Sequence, residues 1–118
     1  MVKDSLKKFY EYYASDEELM YYIQMNAEWN ENSFNKMKQL ARDVMRDYAD
    51  EDYYPKKFVV YFFREIPSVI NIISNFRKCT HKELQAGYTD ETYLCMIADR
   101  INQLKEFRWE FIKSLEKW

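Results

Sequence analysis

Residues 46–57 read RDYADEDYYPKK. The carboxylates Asp47, Asp50, Glu51 and Asp52 are interleaved there with Tyr48, Tyr53 and Tyr54, and Pro55 closes the run. Residues of these types suit three chemistries. Close carboxylates can work as acid and base, and oxygens at alternate positions can hold calcium. Acids around aromatic rings can grip a cationic partner, the rings supplying stiff contact area and the acids steering. The first two are poorly served. A calcium loop of the EF-hand kind needs a central Gly and a distant bidentate Glu, and here Tyr53 and Tyr54 fill the next positions. With 32% charged residues, neighbouring carboxylates arise without any catalytic purpose. The third chemistry stands beside a plainer one: a solvated interhelix loop whose acids serve solubility and whose tyrosines fold onto the core.

The remaining reactive residues are few. His81 is the single histidine, and Cys79-Thr80-His81 with Cys95 offers three soft ligands without a CxxC, an HExxH or a His pair. Zinc asks for four ligands, or three and a water. A nucleophile needing a histidine base has only His81, and one glycine cannot build a phosphate-binding loop. The reading is a protein that is not an enzyme, with neither cofactor nor metal. Net charge is −2, so no global field favours nucleic acid or anionic lipid. Lys38, Arg42 and Arg46 line one helix face at i, i+4 and i+8, but Asp43, Asp47 and Asp50 interleave with them, which argues against phosphate binding. MVKDSLKKFY has no apolar stretch of a signal peptide, and FVVYFF is too short to span a bilayer. The expectation is a cytoplasmic protein off the membrane with reduced thiols, a Cys79–Cys95 disulfide being the less favoured state.

These residues must be positioned by helices. One Gly and two Pro are too few for the many tight turns of an all-β fold. Leu6, Phe9, Tyr10 and Tyr13 predict a helix over 4–13. SDEE (15–18) predicts a capping box from Ser15 to Glu18, opening a second helix with Leu19, Met20, Ile23 and Ala27 inward and fraying into NENS (30–33). Asn32 or Ser33 should cap a third, with Phe34, Met37, Leu40, Ala41, Val44, Met45 and Tyr48 as its stripe. Pro55 suits the first turn of a fourth, and Pro67 should end or kink it before Val69, Ile70, Ile73 and Phe76 continue. KFVVYFF has strand-like composition but no strand to pair with, so helix is the expectation. Thr80 to Glu83 is a second capping box, and Gly87 should close its helix. Thr89 caps a last long helix with a seam of Leu94, Ile97, Ile101, Leu104, Phe111, Leu115 and Trp118, interrupted by Arg108. The fold class is all-α: one domain over 1–118, an irregular bundle of about five to seven helices with a long C-terminal helix.

Asp50-Glu51-Asp52-Tyr53-Tyr54-Pro55 resembles the Asp-x-x-Tyr-Tyr-Pro signature of the colicin and pyocin nuclease immunity proteins. Pro67-Ser68-Val69-Ile70-Asn71 and Arg77 look like that family's last helix, and two Glu-rich amphipathic helices precede the motif. The likeness spans residues 15–78. Past Pro55 the chain has the apolar KKFVVYFFRE where the family has a short acidic loop, and it runs on to residue 118. The resemblance implies an immunity or antitoxin-like inhibitor that occludes a bacterial toxin domain. Its partner would be a cognate protein toxin with a basic surface. The contact residues would be Asp50, Glu51, Asp52, Tyr53 and Tyr54, with Asp47 secondary. The alternative is a helical regulatory or adaptor module, phage-encoded, with weak nucleic-acid contact through Lys38, Arg42 and Arg46. A seam with Trp109, Phe111 and Trp118 would also suit a homodimer.

Overall fold

The computed structural model describes residues 3–116, and among them are helices, turns and no strand. The helices are α1 (Asp4–Tyr13), α2 (Leu19–Asn26), α3 (Glu31–Asp47), α4 (Lys56–Val60), α5 (Ile66–Ile73), α6 (His81–Gln85) and α7 (Asp90–Ser114). A π-helical turn, Tyr61–Glu65, joins α4 to α5 without a break. KFVVYFF is therefore helical, and the fold is the expected irregular all-α bundle with a long last helix.

The caps explain the boundaries, and two differ from expectation. At α2 the cap is Glu18, whose carboxylate accepts the Met20 N–H at 3.0 Å. Ser15 instead bonds back to the Tyr12 carbonyl at 2.7 Å, closing the turn after α1. At α3 the cap is Asn30, accepting from Ser33 N–H at 2.9 Å, so Glu31 already lies in the helix. Asn30 wins because its side chain satisfies one orphan N–H of the first turn while Ser33 is drawn inward. Ala27 is exposed rather than inward, in a left-handed conformation at φ 51° that ends α2. Trp29, just beyond, is buried in its place. At α6 the Thr80 N–H reaches Glu83 Oε1 at 2.6 Å. Gly87 (φ 100°) follows, and Tyr88 N–H bonds back to the Glu83 carbonyl at 3.1 Å, the double-bonded helix end that favours glycine. Thr89 and Thr92 cap α7 reciprocally.

α1 packs on α3, α2 leans on α3 and α5, and α7 crosses both α3 and α5. The core is an aromatic column. Phe9 meets Phe58 and Tyr61 edge-on, each at 5.1 Å. Phe62 stacks on Phe111 at 4.1 Å, with Phe107 at 5.5 Å. Edge-to-face and offset rings add to their area burial, so the high aromatic content is largely internal. Of the α7 seam, Ile97, Leu104 and Phe111 are buried, joined by Tyr93 and Phe107. Phe111 thus belongs to the core and not to an exposed dimer seam, because α4 and the π-turn cover it; Trp109 is exposed, and Trp118 lies outside the described residues.

Arg108 interrupts that seam for a local reason. In the π-turn, bonds skip five residues, as Ile66 N–H to the Tyr61 carbonyl does. The next such bond would run from residue 67 to Phe62, and Pro67 has no N–H to give. Arg108 Nε donates to the Phe62 carbonyl at 3.0 Å instead, while its guanidinium lies 5.0 Å from the Phe63 ring. Pro67 therefore neither ends nor sharply breaks the helix; the widened turn accommodates its ring and α7 supplies the missing donor.

Candidate functional site

α3 ends at Asp47 because the chain turns there: Ala49 N–H bonds to the Arg46 carbonyl at 3.3 Å and Glu51 N–H to the Tyr48 carbonyl at 3.1 Å. Pro55 then serves as N-cap of α4 with extended ψ, its missing N–H costing nothing. The residues between form a corner that exposes Asp50, Asp52 and Tyr53 and buries Tyr48 and Tyr54. In sequence they lie between the negative end of α3, which disfavours carboxylates, and the positive start of α4, which favours them, so the two helix ends offset one another here.

The adjacent tyrosines part company. Tyr53 is 66% exposed and Tyr54 only 6%. The Tyr54 ring sits 5.1 Å from Phe111, 5.6 Å from Phe58 and 6.3 Å from Tyr48, and its hydroxyl is 3.1 Å from Ser114 Oγ at the end of α7. Tyr54 is thus packed in the core and not presented on the surface as the sequence reading expected. Successive side chains of an extended segment point oppositely, so burying Tyr54 turns Tyr53 out.

The acids also divide. Glu51 pairs with Lys3 at 3.2 Å, and Asp47 with Arg46 at 3.7 Å. Asp50 and Asp52 are exposed and form no ion pair among the described residues. The corner therefore offers Tyr53, Asp50 and Asp52 directly, with Glu51 and Asp47 already partly neutralised. Lys3, which also lies 5.3 Å from the Tyr48 ring, has no signal in sequence linking it to this corner.

The other candidates resolve differently. Arg42 makes two 3.0 Å bonds to Glu110 and lies 5.2 Å from the Phe107 ring; Lys38 lies 4.2 Å from the Phe34 ring; Arg46 also meets Asp43 at 3.1 Å. The three cations of the α3 stripe are thus engaged within the chain. Both thiols are free. Cys79 offers its amide and its thiol to Asp90 Oδ1, at 3.0 and 3.3 Å. The Cys79 amide, then its thiol, hold the Asp90 carboxyl below its usual range, while burial and Asp90 push the Cys79 thiol up, away from the thiolate a nucleophile needs. His81 lies 3.1 Å from Gln85. Among the described residues no group of three or more His, Cys, Asp or Glu could hold a metal ion, and no helix is long and apolar enough to cross a membrane.

Fold and site define a small all-α domain with one acidic corner bearing an outward tyrosine. No protein-family model, curated protein or solved structure matches the chain.

Proposed function

We propose that the protein is an immunity or antitoxin-like inhibitor that covers a cationic surface of a toxin domain with the 47–53 corner. Tyr53 carries this reading: a large ring is held in water on a turn anchored from beneath by Tyr54. Such a ring is a stiff anchor that loses little entropy on contact. Asp50 and Asp52 supply unpaired negative charge beside it, which favours a partner presenting Lys or Arg and speeds encounter. Lys38, Arg42 and Arg46 each have a partner within the chain, which favours this reading over a nucleic-acid-binding module.

The test is protection. The chain is co-expressed with the toxin candidate encoded beside its own reading frame, and growth is scored. Tyr53→Ala combined with Asp50→Asn and Asp52→Asn should abolish protection with thermal unfolding unchanged. Full protection by that triple variant would refute the assignment of this corner.

A further inference from the structure

A second carboxylate cluster lies where the α2–α3 connection meets α6, beside Tyr93 near the start of α7. From Tyr93 to Ser114, which touches the acidic corner, is roughly 30 Å of helix. A cleft of roughly 210 Å³ is lined there by Glu28, Trp29, Asn30, Asn32, Lys82 and Glu83.

Glu83 is only 7% exposed. Its Oε1 takes the Thr80 N–H, but its buried Oε2 accepts no hydrogen bond among the described residues. The Glu28 side chain is 13% exposed. Its two oxygens have only long contacts, 3.5 Å to Lys82 Nζ and 3.4 Å to Asn30 Nδ2. The buried Tyr93 hydroxyl makes no close hydrogen bond, and the Glu83 carboxylate and the Trp29 backbone are polar groups that act on it. Burial, then Glu83, push that hydroxyl far above its usual range. Glu31 is already taken by Trp29 Nε1 at 2.6 Å and Arg100 Nε at 2.8 Å. Two carboxylates mostly out of water thus share one cleft. Lys82, the cation beside Glu28, has a side chain 76% exposed. Charge held out of water is costly unless it is paired and hydrogen-bonded. Two carboxylates beside side-chain amides and an indole match the several N–H donors and short apolar stem of an ammonium.

We propose that this cleft binds an alkylammonium group, with Glu83 Oε2 and Glu28 as acceptors and Trp29 as the apolar wall. The group could end a small polyamine or a lysine side chain of another protein. The experiment is a low-salt NMR titration of the ¹⁵N-labelled chain, with spermidine in one arm and the peptide Ac-Gly-Lys-Gly-amide in the other. The Trp29 indole N–H and the amides of Asn32 and Ala86 should shift saturably, and the tighter arm identifies the source. Glu28→Gln and Glu83→Gln should each weaken binding about tenfold, the loss of one charge-assisted bond. Lys82→Gln, which removes the chain's own ammonium, should strengthen it. Should Glu83→Gln fail to fold, Glu28→Gln and Lys82→Gln carry the test. No saturable shift, equal affinity in Glu28→Gln, or shifts confined to residues 47–53 would overturn the proposal.

Discussion

Arg108→Met tests whether a side chain from α7 replaces the backbone donor missing at Pro67. The change keeps the apolar stem but removes the donor to the Phe62 carbonyl. Losing a charged donor to a buried acceptor costs about 1.5–3 kcal/mol. Losing the guanidinium over the Phe63 ring, itself 46% exposed, costs about 0.5–1 kcal/mol. The expected loss is therefore about 2–4 kcal/mol, a large share of the stability of a domain this size. The mechanism is separable from packing, because Pro67→Ala restores an N–H five residues beyond Phe62. In that background Arg108→Met should cost only about 1 kcal/mol, the ring contact alone. Urea unfolding of the four proteins, followed by far-UV circular dichroism, gives the coupling. A value of about 1.5–3 kcal/mol is expected. A coupling below about 0.5 kcal/mol, the ordinary error of additivity, would show that Arg108 does not stand in for the proline's lost donor.

Three further outcomes follow from the same geometry. Ala27→Gly relieves a left-handed alanine at the end of α2 and should raise unfolding stability by about 0.5–1 kcal/mol; an unchanged urea midpoint would contradict it. Tyr12→Phe deletes the hydroxyl that accepts the Leu19 N–H at 2.9 Å and bonds Ser33, and should cost about 1–3 kcal/mol in thermal or urea unfolding. Burial pushes the Glu18 carboxyl above its ordinary 4.5, against the bonds it accepts at the start of α2. The native state then holds this proton more tightly than the unfolded chain, so the contribution is full below 4.5 and lost as pH rises through the higher folded value. Glu18→Gln should therefore gain on the parent at neutral pH, with the gap closing in acid, as read by melting midpoints at both pH values.

The helix plan was legible where the signal is local. Capping pairs such as Thr80–Glu83 and the 3-4 spacing of Phe34, Met37, Ala41 and Val44 involve neighbours on one turn or two. Legibility failed where a distant element decides. Tyr53 and Tyr54 are chemically identical in the sequence, and only contact with Phe111 and Ser114, some sixty residues on, drives one inward. Arg108 showed only as a break in a seam, since its meaning depends on a carbonyl in another helix. Trp29 follows a helix end and carries no periodicity, and Glu83 was readable as a cap but not as a buried acid facing Glu28. The acidic character of the corner needed no structure, but its reduction to Tyr53, Asp50 and Asp52 did.

α7 also sets an order of events. Its closing contacts are distant in sequence: Arg42 to Glu110 is 68 residues apart, Arg100 to Glu31 is 69, and Tyr54 to Ser114 is 60. A ribosome delivers α7 after the other helices among the described residues. Until it arrives, Tyr54, Phe58 and Phe62 lack the Phe111 ring that completes their column. A nascent or clipped chain lacking α7 would carry a sticky aromatic strip, open to chaperones and to aggregation. The corner beside Tyr53 gains its anchor in that same step, so a chain still lacking α7 would have the acids of the surface without the rigid ring.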